Sequence, residues 1–395
     1  MVQILLISVG TGIQRKCRAQ SVDSGSPTHH RAADSRLQFS PRTSGFAFCI
    51  ACCLCVLVLN LVFAPVARTR PKAKPARRVT VPELELTGGR RLLYEGSISS
   101  EKQVETRGRF WTRLRDAVVG EPSSHELITP YGVVADSHGR IIVTDPGAQG
   151  IHIFDFAQHK YKFIARHKDK DDLVSPQCVA VDAADNIYVT DSYSGKIFVF
   201  DADGKFGRVI GSIKGEGYFK RPTGIAVDSQ ADRIYVTDTL RDRIYVLDME
   251  GRVLQEIGRR GTAGGEFNYP TELRLEGEDL MVVDAMNFRV QVLDRSGKPK
   301  YAVGTMGDGT GQMFRPKGIG VDSEGHLYVV EGFKGMVQVF DRQGRLLYYF
   351  GQPGSGFGDF QLPAGLFIDH NDRVFVVDSY NRRVQAFQYF ALEKK

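Results

Sequence analysis

Short runs of β-branched and aromatic residues, broken by glycine, aspartate and serine, fill the chain from about residue 130 to residue 390. The stretch 322–351, DSEGHLYVVEGFKGMVQVFDRQGRLLYYFG, shows the unit. Its apolar runs are His326–Val330, Met336–Phe340 and Arg345–Phe350, separated by Ser-Glu-Gly, Gly-Phe-Lys-Gly and Arg-Gln-Gly. Such punctuation suits tight antiparallel turns. A fourth run, Gly318–Val321, precedes them after Pro316. The pattern predicts a four-stranded antiparallel meander of about 40–45 residues, the size of one propeller blade.

The unit recurs six times. First strands begin at Tyr131, Gln177, Thr223, Thr271, Lys317 and Ala364, each after a proline, at spacings of 46, 46, 48, 46 and 47 residues. Second strands end in a carboxylate at Asp145, Asp191, Asp238, Asp284, Glu331 and Asp378, at spacings of 46, 47, 46, 47 and 47. Two independent markers keep one period. A solenoid is periodic too, but four antiparallel strands per unit favour a propeller. The expected fold is all-β, a six-bladed β-propeller of four-stranded antiparallel blades.

The repeat Pro-x-Gly-(apolar)-Ala-Val-Asp, Ile-Tyr-Val-Thr-Asp, (Arg/Lys)-Ile-x-Val-Phe-Asp, closed by a strand ending in Gly, resembles the NHL repeat over residues 130–388. The main departures are Cys178 and Glu272 at the glycine position, Arg274 and Phe367 at the alanine position, and Glu331 for Asp. The sixth repeat stops after its third strand, Arg383–Phe390, while GRRLLYEGSI at Gly89–Ile98 resembles the fourth strand of the fifth repeat. The N-terminal strand, within 83–98, is therefore expected to complete the last blade and leave no open sheet edge.

The rest of the chain divides into segments. Residues 1–45 are polar, without period, and read as a disordered tail. Residues 46–67 read as a transmembrane or signal-anchor segment. Its run Phe46–Ala64 has 19 residues with Asn60 the one strongly polar member, and at ~1.5 Å per residue reaches ~28 Å, the hydrocarbon thickness. Residues 68–82 form a basic, proline-rich linker, and 83–395 the propeller. Within the propeller, 107–121 places Phe110, Trp111, Leu114, Val118 and Val119 at helical spacing, which predicts an inserted amphipathic helix. The basic residues flanking 46–64 favour a cytoplasmic propeller by the positive-inside rule. The resemblance to exported bacterial NHL-repeat proteins favours an extracytoplasmic, periplasmic one, and that is the expectation adopted.

Charge sharpens this picture. The chain carries 52 Lys+Arg and 46 Asp+Glu. Residues 1–80 hold 12 and 2 of these, so the remainder holds 40 and 44, a net of −4. The basic excess belongs to the tail, which argues against nucleic-acid binding by the propeller. Cys178 is the single propeller cysteine, so no disulfide framework or metal spacing arises.

A residue present in every blade reads as architectural, so the ring Asp145, Asp191, Asp238, Asp284, Glu331 and Asp378 is expected to accept from backbone N–H groups of nearby turns. Breaks in the symmetry are more informative. Glu272 and Arg274, two apart on a strand, share a face near the channel, and are expected to form a buried ion pair or a ligand contact. Connections between second and third strands, and from fourth to first, share one face. There the binding candidates are Tyr131, Tyr193, Arg241, Met286, Phe288, Phe333, Lys334, Tyr380 and Arg382, aromatic and basic residues typical of binding surfaces. The peptidyl-hydroxyglycine lyases, which the repeat also resembles, hold zinc with histidines in the channel. Here His138, His326 and His370 fall in turns between first and second strands, His152 in a third strand and His167 in a loop. No metal site or cofactor is expected. The favoured function is a membrane-anchored, non-enzymatic scaffold binding a protein, peptide or glycan, with the membrane reached through 46–64. A channel-site lyase or hydrolase and a cytoplasmic RNA-binding propeller are the alternatives.

Overall fold

The computed structural model describes residues 83–86, 89–104, 125–165 and 173–391. The predicted tail 1–45, membrane segment 46–67, linker 68–82 and inserted helix 107–121 lie outside the described residues, as does His167. Among the described residues helical structure is confined to short 3-10 turns such as Thr239–Arg241 and Ala285–Asn287. None is long and apolar enough to cross a membrane.

Six antiparallel sheets form the ring. Blade 3 is typical: Pro222–Asp228, Arg233–Asp238, Arg243–Leu247 and Val253–Ile257, hydrogen-bonded in that order. Second and third strands are buried along nearly their whole length, as in IYVTD at Ile187–Asp191 and KIFVF at Lys196–Phe200. Neighbouring blades cover both faces, which explains their continuous apolar runs. Fourth strands lie outermost, and Val253–Ile257 and Pro299–Val303 are exposed until their last residue.

The core is six wedges, one between each pair of blades. The wedge between blades 2 and 3 joins Tyr188, Ile197 and Ile210 to Ile225, Val236 and Tyr245. Innermost strands meet in cyclic order, and the circle closes where the Gly365 N–H donates to the Tyr131 carbonyl at 2.8 Å. Gly365 must be glycine, because a Cβ there would sit 2.5 Å from that carbonyl oxygen. In blades 2 and 3 the second-strand threonine bridges instead. Thr190 Oγ1 donates to the Thr223 carbonyl at 2.7 Å, and Thr237 Oγ1 to the Thr271 carbonyl at 2.9 Å.

Closure uses the N-terminal strand. Arg91–Ile98 pairs antiparallel with Arg383–Phe390, from Arg91 opposite Phe390 to Ile98 opposite Val384, with a bulge at Gly96. Leu92, Tyr94 and Ile98 are buried. Arg90 forks onto Glu324 of blade 5, Nε to Oε2 and Nη2 to Oε1, both at 2.8 Å. The Arg90 hydrogen bond holds the Glu324 carboxyl down at about 2. Two details depart from the expected regularity. Glu83–Glu85 adds a fifth strand to the last blade, and a small hairpin, Ser212–Ile213 with Glu216–Gly217, interrupts the connection into blade 3.

Candidate functional site

The carboxylate ring is fully buried. Asp191 accepts from the N–H groups of Val174, Ser175, Tyr193 and Ser194 at 2.6–3.1 Å. Each such carboxylate fastens the connection entering its own blade to the end of the second strand. Asp378 and Asp284 also bind side chains. Asp378 accepts from Gln361 N at 2.7 Å, Asn381 Nδ2 at 2.8 Å, Arg383 Nε at 2.7 Å and Gln385 Nε2 at 3.1 Å. Asp284 has the same set in Asn268, Asn287, Arg289 and Gln291. For Asp145, burial alone would raise the pKa, but donors at His152, Ile128, Thr129 and Ala148 hold it below the usual range. Glu331 is the exception: it accepts from Phe314 N and Arg315 N, its Oε2 has no partner, and burial pushes its pKa up. Met336 stands where blades 4 and 6 have Arg289 and Arg383, so the second oxygen lacks its guanidinium.

The loop face separates the predicted binding residues into two groups. Tyr193, Phe333, Tyr380 and Met286 are 78, 67, 63 and 55 % exposed at the tips of the second-to-third strand connections, and Arg382 is exposed beside them. The others are engaged within the propeller. Lys334 Nζ donates to the carbonyls of Gly307, Gly309 and Gln312. Arg241 reaches the Tyr245 hydroxyl at 3.2 Å and lies over the Tyr218 ring. Phe288 joins an aromatic ridge, 6.3 Å from Phe314, which is 5.4 Å from Phe333. Tyr131 sits at the channel under the Lys317 ammonium, 5.2 Å from its ring centroid. The sequence reasoning missed Met306, Phe314, Phe357 and Leu362, all exposed on the same face in the fourth-to-first connections. Those connections bury one anchor each, Phe267, Met313 or Phe360, and the anchor's neighbours carry no distinguishing pattern.

The channel holds the symmetry breaks. Tyr131, Cys178, Thr223, Thr271, Glu272, Lys317 and Ala364 pinch it to a cavity of about 10 Å³, the room of one water. Beyond the pinch, toward the first-to-second strand turns, it widens to about 170 Å³ between Ala135, Val181, Val227, Leu275 and Phe367, with Glu272 and Arg274 in its wall. The expected ion pair is absent: among the described residues no carboxylate lies within 4 Å of Arg274. Its guanidinium instead lies over the Phe367 ring at 4.7 Å. This brings together the two large departures at the alanine position, from blades 4 and 6, across Gly320 of blade 5. A Cβ on Gly320 would come 2.4 Å from the Leu366 Cδ2 methyl, which would have to shift to admit it.

Burial pushes Glu272 up to about 8, against the pull of Arg274, the Ile319 N–H and Lys317. Lys317 is drawn down to about 8 by burial and by Arg315. Burial takes the Cys178 thiol up to about 12, with Glu272 adding to it, so that thiol is not a reactive thiolate. The Glu272 value lies above its ordinary 4.5. Below about pH 4.5 it is protonated folded and unfolded alike, and its cost grows as pH rises from there to the folded value, above which it is constant. Glu272→Gln should therefore match the parent's stability near pH 4–5 and exceed it by roughly 2 kcal/mol near pH 8–9. Denaturant midpoints at the two pH values check this; an equal gain at both would show that Glu272 is ordinarily ionised.

Among the described residues histidines do not converge in the channel. His152 is buried in a third strand, Nδ1 2.8 Å from the Tyr161 hydroxyl. His138 sits with Asp136 and Asp185 in turns of adjacent blades, the one group of three possible metal ligands among the described residues. Sequence reasoning did not join them because Asp185 lies one repeat period away. The oxygens are already in use: Asp136 takes Arg140 Nε and the N–H groups of His138 and Arg140, while Asp185 takes Ser137 and His138. A shallow rim recess of about 600 Å³ among Arg140, His159, Lys160 and Lys162 is open to solvent. Its lysines bond to Gln158 and the Asp203 carbonyl.

A family model described as "6-bladed beta-propeller" matches residues 168–232 and 224–287. No curated protein matches the chain. Among solved structures, a structural genomics protein of unknown function from Bacteroides thetaiotaomicron is 14 % identical with a TM-score of 0.55, over 76 % of each chain. An auxiliary nutrient binding protein from the same organism is also 14 % identical, with a TM-score of 0.52 over 66 % of this chain and 69 % of that one. A streptogramin B lyase is 17 % identical, with a TM-score of 0.49 over 66 % of this chain and 94 % of its own. At such identities the likeness concerns architecture alone, and the architecture it shows is the six-bladed β-propeller.

Proposed function

We propose that the protein is a non-enzymatic binding scaffold of the NHL-repeat type. It would be held at a membrane by residues 46–64 with its propeller outside the cytoplasm, and take a protein or peptide partner on its loop face. One observation carries this reading: the exposed large apolar side chains concentrate on that face. Ile128, Tyr193, Leu240, Met286, Met306, Phe314, Phe333, Phe357, Leu362 and Tyr380 lie on it, whereas on the opposite face the first-to-second strand turns expose none and the third-to-fourth turns expose Phe156 and Phe206. Exposed apolar tips on a rigid frame mark an interaction surface, and aromatic anchors contribute most to such interfaces. The 19-residue apolar run with Asn60 as its one strongly polar member supports the anchor. A glycan partner would use the same aromatic tips.

Tip substitutions test the reading. Tyr193→Ser, Phe333→Ser and Tyr380→Ser combined in the full chain should leave the melting temperature within about 2 °C of the parent, since exposed side chains contribute little to stability. The triple variant should lose the partner that co-purifies with the parent from host membranes. Leu254→Ser on the outer rim should retain it. If the triple variant recovers the same partner in the same amount, the loop face is not the binding surface.

A further inference from the structure

Independently of the loop face, the wide half of the channel has the composition of a small-molecule site. Its walls are aliphatic and aromatic, contributed by Val134, Ala180, Ala226, Leu273, Leu275 and Phe367. Arg274 stands in that wall as its strong cation. Among the described residues no hydrogen-bond acceptor and no carboxylate within 4 Å engages it; the Phe367 ring at 4.7 Å is its partner. An aromatic face accepts no conventional hydrogen bond, so the guanidinium's donors remain for a guest. A guanidinium's fork matches a carboxylate with two parallel bonds. The volume of about 170 Å³ is close to that of an apolar cavity of about 150 Å³ that takes a benzene-sized guest.

We infer that the channel, on the side of the first-to-second strand turns, binds a small monocarboxylate with an apolar body of about benzene size, its carboxylate on Arg274 and its body against the aliphatic walls and Phe367. A phosphate dianion fits poorly, because the wall offers one guanidinium among aliphatic and aromatic groups. Neutral molecules would leave the guanidinium unpaired, and amines would meet it as a like charge.

Calorimetric titration of the full chain with benzoate, benzamide and benzylamine tests the inference. Benzoate should bind saturably in the low millimolar range, and benzamide and benzylamine about ten-fold more weakly or not at all. Arg274→Gln should weaken benzoate by about ten-fold, and with no ion pair to break it should stay folded. Ala226→Leu, which keeps Arg274 and fills the space, should also abolish binding, so the answer does not depend on one variant's stability. No saturable benzoate binding up to about 50 mM, equal binding of benzamide, or unchanged binding by either folded variant would overturn the site.

Discussion

Deleting residues 83–98 is expected to lower the melting temperature by about 10 °C or more, or to prevent a soluble monomer. The deletion removes Leu92, Tyr94 and Ile98 from the wedges on either side of blade 6. Burying such a side chain contributes roughly 1.5–3 kcal/mol, so three approach a large share of the ~5–15 kcal/mol that holds an ordinary domain folded. The loss has a second part: Arg383–Phe390 would become a bare edge, open to pairing with another chain. Thermal melts and size-exclusion profiles of full and truncated chains check the expectation. A truncated chain that stays monomeric and melts within a few degrees of the parent would mean the ring is held without its closing strand. Arg90→Ala, which loses the fork onto Glu324, should cost about 1 kcal/mol, because that pair is partly exposed.

Substitution of Asp378 by alanine is expected to cost about 3–5 kcal/mol, because it leaves the nearly buried Arg383 guanidinium without its counter-charge and the Gln361 N–H without its acceptor. Asp284→Ala should match it, since Arg289 and Gln291 stand in the same relation. Glu331→Ala should cost only about 1–2 kcal/mol: it frees two N–H groups but also removes a carboxyl whose Oε2 had no partner. Urea midpoints of the three variants give the ranking. A Glu331 variant as damaging as the Asp378 variant would mean that the guanidinium contacts contribute nothing beyond the backbone bonds.

The ring, its blade count and its closing strand could be read from the chain because each depends on local pattern. A proline before each first strand and a carboxylate after each second strand recur at one period, and strand pairing within a blade is set by neighbours in sequence. What could not be read depends on contacts between blades. Arg274 and Phe367 were each visible as departures from the repeat, yet their meeting follows from the bore of the ring and the smallness of Gly320, neither of which is written locally. An ion pair between Glu272 and Arg274 followed from spacing along one strand. In the ring the Arg274 guanidinium finds the Phe367 ring of blade 6 instead. Asp185 joins His138 for the same reason, one repeat apart in sequence and adjacent in space. Glu83–Glu85 alternates polar and apolar residues for three positions only and stays exposed, too short a run to announce a strand.

The pairing of Arg91–Ile98 with Arg383–Phe390 sets a timetable for synthesis. Val384 leaves the ribosome 286 residues after its partner Ile98, and at about 5–20 residues per second that is a wait of roughly 15–60 s. Blades 1 to 5 can form in order as they emerge, each against the one before. Throughout that interval the strand that completes blade 6 has no mate in its own chain, and its buried Leu92, Tyr94 and Ile98 are presented to whatever is nearby. On a crowded polysome the nearest matching edge can belong to another nascent copy, and the product would be a swapped dimer built from two native closures.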